Sequence, residues 1–167
     1  RDELIKQLPE LKKKLLYYKD YSVQTINDVF DKDLLLSSYT RYLDETKSLI
    51  LLSKGSQSYE IIYMPDEIQY SSVHAISIED VNLDGKKDLI LGGNQFLVKP
   101  QFGAYDASKG WIMYGSKNSN KLFDNFKPLN IYGQIRDFSI VKDLKSSDSL
   151  ILIAGISDSK IITKNVK

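Results

Sequence analysis

The sequence predicts a mainly β protein of antiparallel sheets with a short helical N-terminal segment. From residue 47 onward, short runs rich in Val, Ile, Leu, Tyr and Phe alternate with turn residues, at the spacing typical of antiparallel sheets. Before that point, apolar residues recur every three or four positions, which is the period of a helix. The change of pattern near residue 46 divides the chain into a helical segment, 1–46, and a β region, 47–167.

Two helices are predicted in the helical segment. The first carries one apolar stripe, and Pro9 suits its first turn. A second, shorter helix is expected over 26–30, where Thr25 and Asp28 have the spacing of a capping box. We expect the stripe to pack on the sheets rather than to dock a partner. The stripe consists of Leu8, Leu11, Leu15 and Tyr18.

Nine strands are predicted in the β region. The four strands between 73 and 126 form one complete sheet, the two before them belong to a preceding sheet, and three follow. So few strands leave sheet edges open, which further strands or a second copy of the chain would cover. The predicted strands are 48–53, 59–64, 73–78, 88–91, 110–114, 122–126, 135–141, 149–154 and 160–163.

The segment 80–88 has the oxygen spacing of a calcium-binding loop. It reads Asp-Val-Asn-Leu-Asp-Gly-Lys-Lys-Asp, with Gly85 at the sharp turn. An all-oxygen ligand set disfavours zinc, copper and iron, and calcium tolerates irregular geometry better than magnesium does. The expected ligands are the side chains of Asp80, Asn82, Asp84 and Asp88 and the backbone carbonyl of Lys86.

This loop differs from an EF-hand in its last position and in its flanks. Leu91 stands where an EF-hand supplies a glutamate, and both neighbouring segments read as strands rather than helices. We therefore expect a calcium loop between two adjacent strands. A hairpin turn without metal is the alternative, because Asp, Asn and Gly also form turns through their own backbone.

The loop and the Leu-Ile-Leu-Gly-Gly-Asn run after it resemble the repeat of the FG-GAP/VCBS family. The segments 103–110 and 133–137 resemble the last repeats of large bacterial VCBS proteins with an ASPIC/UnbV-like end. The resemblance covers roughly 49–162 and implies antiparallel blades of a β-propeller. About two blades would be present, with a complete blade at about 73–127. In that family the loop binds calcium at a blade edge, and the four side-chain ligands match its positions.

The connection 94–109 is a second candidate site. Its sixteen residues exceed the usual hairpin loop, and long loops are often functional. It combines hydrogen-bonding and aromatic side chains that suit a sugar or a peptide. The alternative is a structural loop in which the polar residues cap turns. The candidate ligand-binding residues are Gln95, Tyr105, Asp106 and Ser108.

The sequence offers little for catalysis. It contains no cysteine, no Gly-x-Ser-x-Gly, no Gly-rich phosphate loop and no His-Glu-x-x-His. The only histidine, His74, shares a strand face with Ile76 and Ile78, where we expect a packed or half-buried residue rather than a base. The net charge of +1 lacks the clustered positive charge of nucleic-acid-binding proteins. No apolar run is long enough to span a membrane.

With the resemblance, these observations predict a calcium-stabilised, non-enzymatic binding or scaffolding module of an exported bacterial protein, at the cell surface, in the periplasm or secreted. Its ligand would be a carbohydrate or a protein. Its other partners would be the remaining blades or a second copy at the open edges. The alternative is the non-catalytic portion of a carbohydrate-active lyase or hydrolase with a propeller fold. Because the chain begins without methionine, we expect a piece of a longer protein.

Overall fold

The computed structural model describes residues 1–146 and 149–166. The chain divides into two compact units, Arg1–Glu45 and Thr46–Lys167. Within the described residues, no helix is both long enough and apolar enough to span a membrane.

The first unit contains four short α-helices and one 3-10 helix instead of the predicted long helix. Leu8 has a non-helical backbone, with φ −129° and ψ 79°, because the residue before a proline disfavours the helical conformation. Pro9 begins the 3-10 helix, as its place in a first turn predicted, but this helix ends at Lys12, so the prediction of one helix along the whole stripe is wrong. Of the stripe, Leu15 alone is fully buried. The elements are α1 (Asp2–Gln7), the 3-10 helix (Pro9–Lys12), α2 (Tyr18–Tyr21), α3 (Ile26–Val29) and α4 (Lys32–Ser37).

The capping box at the start of α3 is confirmed. The backbone N–H of Thr25 and its hydroxyl both donate to Asp28 Oδ2 at 2.7 Å. These bonds lower the pKa of Asp28, the backbone bond being the larger cause. Val29 is buried, whereas Ile26 is exposed. The sequence therefore located this helix correctly, although only part of its apolar face is covered.

The second unit consists of three antiparallel sheets, and each predicted strand is present with small shifts at its ends. The first sheet holds two strands, the second holds four in the order β3-β4-β5-β6, and the third holds three in the order β7-β8-β9. A short helix, α5 (Asp66–Gln69), precedes the second sheet. The strands are β1 (Leu49–Gly55), β2 (Ser58–Tyr63), β3 (Val73–Glu79), β4 (Asp88–Gly93), β5 (Trp111–Gly115), β6 (Phe123–Pro128), β7 (Ile135–Lys142), β8 (Leu150–Ile156) and β9 (Ile162–Asn165).

Two apolar clusters hold the sheets against one another. One lies between the first and second sheets and includes Leu91 and Met113 with Ile50. The other lies between the second and third sheets and includes Ile90 and Leu152. Every residue of β4 is buried because both faces of this strand are covered.

The second and third sheets share one internal pattern. Val73 and Ala75 pair with Gly93 and Gly92, so that the register shifts at the second residue of β3. The same shift occurs at the second residue of β7, where the paired residues are Ile135 with Ile156 and Asp137 with Gly155.

Equivalent faces of these two sheets point in the same direction along the stack. Leu91 of the second sheet faces the first sheet, and its equivalent, Ala154 of the third sheet, faces the second. The sheets thus stack in a repeated head-to-tail manner. Within the described residues they do not close into a ring.

Candidate functional site

The acidic loop, defined as residues 80–88, joins two neighbouring strands as the sequence predicted. Glu79 ends β3 and pairs with Asp88, which begins β4. Two loop residues, Leu83 and Gly85, have positive φ angles of 57° and 88°. Glycine adopts such angles without steric cost, and this accounts for Gly85 at the turn.

Side-chain oxygens of the acidic loop converge on its own backbone. Asp80 Oδ1 and Asn82 Oδ1 accept from the same N–H, that of Asp84, at 3.0 and 3.1 Å. Asp80 Oδ2 accepts from the N–H of Gly85 at 2.8 Å. Asp84 Oδ1 accepts from the N–H of Lys86 at 2.9 Å. These bonds fix the positions of three expected ligand side chains, and they are also the bonds that a metal-free turn would use.

Asp88 has a different environment from the other predicted ligands. Its side chain is fully buried, with Oδ2 accepting from the N–H of Val81 at 2.9 Å and Oδ1 from the N–H of Gly115 at 2.8 Å. Asp88 therefore ties the acidic loop to the end of β5. Burial raises the pKa of the adjacent Tyr114, and the negative charge of Asp88 raises it further.

The donor chemistry of the acidic loop suits a hard cation, whereas its geometry meets only part of the requirement. Ionised carboxylates keep further lone pairs after accepting one N–H each, so the bonded oxygens of Asp80 and Asp84 can still bind a cation. Over residues 1–146 and 149–166, however, no three acidic or histidine side chains form a group that could hold a metal ion. Asp84 also forms an ion pair with Lys117, whose Nζ lies 3.8 Å from Oδ2.

The long loop, residues 94–109, is anchored by buried hydrogen bonds. Asn94 is fully buried and has a φ of 83°. Its Nδ2 donates to the carbonyls of Ser108 and Gly133 at 2.9 and 3.0 Å, and its Oδ1 accepts from the N–H of Ser108 at 2.9 Å. Of the four candidate ligand residues, Ser108 is therefore a buried part of the anchor rather than a surface group.

The other candidates of the long loop lie nearer to solvent. Gln95 and Tyr105 form an isolated antiparallel bridge across the base of the loop, with both N···O distances at 2.8 Å. The Tyr105 ring is about half exposed, and Asp106 is exposed. The structure therefore brings Gln95 and Tyr105 together. Asp106 is the residue that follows Tyr105 in the sequence.

A polar cluster around Arg136 was not predicted as a site from the sequence. Arg136 Nη2 donates to Gln95 Oε1 at 2.9 Å and to Gln134 Oε1 at 3.0 Å, and Nε donates to Ser157 Oγ at 3.3 Å. Gln134 Oε1 also accepts from the N–H of Phe96 at 2.9 Å. Arg136 lies at the bulge of β7, and bulges often redirect a side chain beside a functional site.

His74 occupies the equivalent bulge of β3. Its side chain is exposed, so the prediction of a packed or half-buried histidine is wrong. Burial of the imidazole, slight as it is, and the positive charge of Arg136 lower the pKa of His74, burial being the larger cause. Ile76 and Ile78, with which His74 was expected to share a face, are exposed as well, so the expected cover is absent from this strand.

An apolar cleft of about 400 Å³ lies between the first and second sheets. Ile76 and Ile78 of β3 line it and are 65% and 58% exposed. Leu52 of β1 lines the other side. The cleft exists because the first sheet has two strands and leaves part of the four-stranded sheet uncovered.

Searches of the sequence against family models and curated proteins, and of the structure against solved structures, gave no match.

Proposed function

We propose that Thr46–Lys167 is a calcium-stabilised, non-enzymatic binding or scaffolding module, built as part of a β-propeller of the FG-GAP/VCBS type and belonging to an exported bacterial protein. The observation that carries the calcium assignment is the convergence of Asp80 Oδ1 and Asn82 Oδ1 on one backbone N–H between two strands. This arrangement places hard oxygen donors close together where the spacing predicts a cation.

The head-to-tail stacking of the sheets supports the propeller. Propeller blades are antiparallel sheets arranged around a central axis, each packed on the next. Leu91 and Ala154 are equivalent residues, and each faces the preceding sheet. Repetition of this packing by further blades, or by a second copy of the chain, would build a ring.

The uncovered part of β3 also supports the propeller. Ile76 and Ile78 lie exposed beside a sheet of only two strands. Two further strands at the edge of the first sheet would give it the four strands of the second and would cover these side chains. In water, exposed aliphatic side chains at one strand favour such a partner.

The proposed calcium ligands are Asp80, Asn82, Asp84, Asp88 and the carbonyl of Lys86. A bound calcium ion would supply positive charge that offsets the repulsion among the carboxylates. The N–H groups of Asp84 and Gly85 hold the ligand side chains in place, and Asp88 fixes the loop to β5. Extracellular sites of this kind bind calcium with dissociation constants of roughly 10⁻⁴ to 10⁻³ M.

Calcium titration by calorimetry, with thermal melts in EDTA and in calcium, tests the proposal. We expect binding of one ion per chain and a calcium-dependent rise in melting temperature, both abolished by Asp84→Asn. Asp143→Asn is the matched control, because Asp143 lies in the β7–β8 loop and likewise accepts a backbone N–H two residues on, at 2.9 Å. If the unsubstituted protein gives no heat on calcium titration and no calcium-dependent change in melting temperature, the acidic loop is a turn without metal.

A further inference from the structure

We propose that Arg136, with Gln95 and the exposed residues Phe96, Tyr105 and Tyr132, binds the carboxylate of an acidic saccharide such as a uronic acid unit. This assignment rests on the binding function proposed above and names its ligand class. The groups concerned lie where the long loop meets the beginning of β7, away from the acidic loop in sequence.

The guanidinium of Arg136 is held in a fixed orientation. Three of its N–H groups donate to neutral oxygens, those of Gln95, Gln134 and Ser157. Gln134 is itself buried and accepts a second bond from the N–H of Phe96. Such a preorganised side chain loses little conformational entropy when it binds a ligand.

Arg136 also lacks a counter-charge among the described residues. No aspartate or glutamate there forms an ion pair with it. Its Nη1 makes no hydrogen bond to the described protein and is not among the buried unpaired polar atoms, so Nη1 reaches solvent. The open Nη1 of this half-buried guanidinium suits a carboxylate oxygen, because a hydrogen bond between a charged donor and a charged acceptor is stronger than one between neutral groups.

The surroundings favour a saccharide as the carrier of the carboxylate. Phe96 is joined to Gln134 through its backbone, Tyr105 is joined to Gln95, and Tyr132 precedes the anchor carbonyl of Gly133. Phe96, Tyr105 and Tyr132 are large aromatic residues that are 42%, 44% and 64% exposed. Flat apolar rings beside a few directed polar groups are a usual way to hold a small polar ligand. A single guanidinium matches one carboxylate better than a phosphate, which carries about two charges.

His74 is a built-in reporter for this site. It is the only histidine in the chain, and the charge of Arg136 contributes to its lowered pKa. A carboxylate bound to Arg136 offsets that charge and favours the imidazolium. Binding should therefore raise the pKa of His74, a change that a neutral sugar would not produce.

The test is NMR titration of the His74 imidazole in the whole chain with calcium present. The probes are a galacturonic acid trimer, an uncharged galactose trimer of the same length, and trialanine, which offers a carboxylate on a peptide. We expect the acidic trimer alone to bind and to raise the pKa of His74. Equal binding of the two sugar trimers, or tighter binding of trialanine, would overturn the assignment.

Substitutions separate binding from folding. Arg136→Gln should weaken binding of the acidic trimer by about tenfold to a hundredfold, because a hydrogen bond to a charged group contributes about 1.5–3 kcal/mol. Arg41→Gln, a change of the same type in the first unit, should leave binding unchanged. Tyr132→Ala removes an exposed ring and should weaken binding without lowering the melting temperature. Retained affinity in both Arg136→Gln and Tyr132→Ala would contradict the proposed site.

The same titration on Asp84→Asn distinguishes this inference from the calcium proposal. Acidic-trimer binding that survives in Asp84→Asn would show that the Arg136 site does not depend on the acidic loop. Acidic-trimer binding by an unsubstituted protein that gives no heat with calcium would leave the Arg136 site standing while the metal assignment fails. Loss of trimer binding in Arg136→Gln with calcium binding intact would support the two sites as independent.

Discussion

The β3–β4 and β7–β8 hairpins have the same register, yet their loops and bulges carry different groups. In both hairpins the second residue of the first strand is bulged opposite a glycine-containing segment. That residue is His74 in one hairpin and Arg136 in the other. The β3–β4 loop has acidic residues at alternate positions, whereas the β7–β8 loop has Asp143 without the spacing. The two hairpins thus share one backbone arrangement but carry different functional side chains in their loops and at their bulges.

The two hairpins also differ in what covers them. Gly92 in β4 lies against the third sheet, and a Cβ there would stand 2.5 Å from Ile135 Cγ2. The equivalent Gly155 in β8 has nothing closer than 3.8 Å. The same backbone position is therefore closely packed in one sheet and open in the other, which is what a stack with an uncovered end produces.

The largest expected effect comes from removing the buried carboxylate of the first hairpin. Asp88→Ala should lower the free energy of unfolding by about 3–5 kcal/mol, because two buried N–H groups lose a charged acceptor. Asp143→Ala should cost less than about 1 kcal/mol, since it removes one bond at a half-buried position. Urea unfolding without calcium measures both. Equal losses would remove the distinction between the two loops.

The next largest effect is expected at the two equivalent glycines, Gly92 and Gly155. Gly92→Ala should destabilise the protein by about 1–3 kcal/mol, because the new methyl group overlaps a packed side chain. Gly155→Ala should change stability by no more than about 0.5 kcal/mol. Both variants can be compared by thermal and urea unfolding. A cost at Gly155 as large as that at Gly92 would show that the outer face of the third sheet is covered in solution.

A smaller effect is expected at the rim of the acidic loop. Lys117 stands 3.8 Å from Asp84 and competes electrostatically with a cation there. Lys117→Gln should therefore tighten calcium binding by roughly twofold to fivefold, as expected for an exposed charge pair of up to about 1 kcal/mol. Lys145→Gln, in the other hairpin's loop, is the control. Calorimetry at low ionic strength measures the change, and weaker binding in Lys117→Gln would contradict a cation at this loop.

The smallest effect is expected between the two bulged residues, His74 and Arg136. Arg136→Gln should raise the pKa of His74 only in part, because burial is the larger cause of its lowering. The folded state holds this pKa below that of the unfolded chain. The contribution of His74 to stability is therefore complete above its pKa in the unfolded chain. This contribution is lost as the pH falls through that pKa toward the lower pKa of the folded state. NMR of the single imidazole measures the pKa, and an unchanged value would show that Arg136 does not act on His74.

Local patterns were sufficient to locate most of the secondary structure. The predicted strands are present because β-branched and aromatic residues fit the pleated surface of a sheet, and short runs of them bounded by turn residues can be recognised over a few positions. The capping box at Thr25 was predicted because its partners lie three residues apart. The stripe from Leu8 to Tyr18 misled because its helical period continues past Lys12, where the helix that Pro9 begins comes to an end.

The sequence by itself determined the strands, the acidic loop between two of them and the mainly antiparallel β class, all of which depend on residues a few positions apart. The tertiary structure alone decided that Asp88 is buried against Gly115, 27 residues away, and that Arg136 meets Gln95 across 41 residues. It also decided which face of each sheet is covered. Such contacts depend on how whole sheets stack, and no local pattern encodes the distance between residues on different sheets.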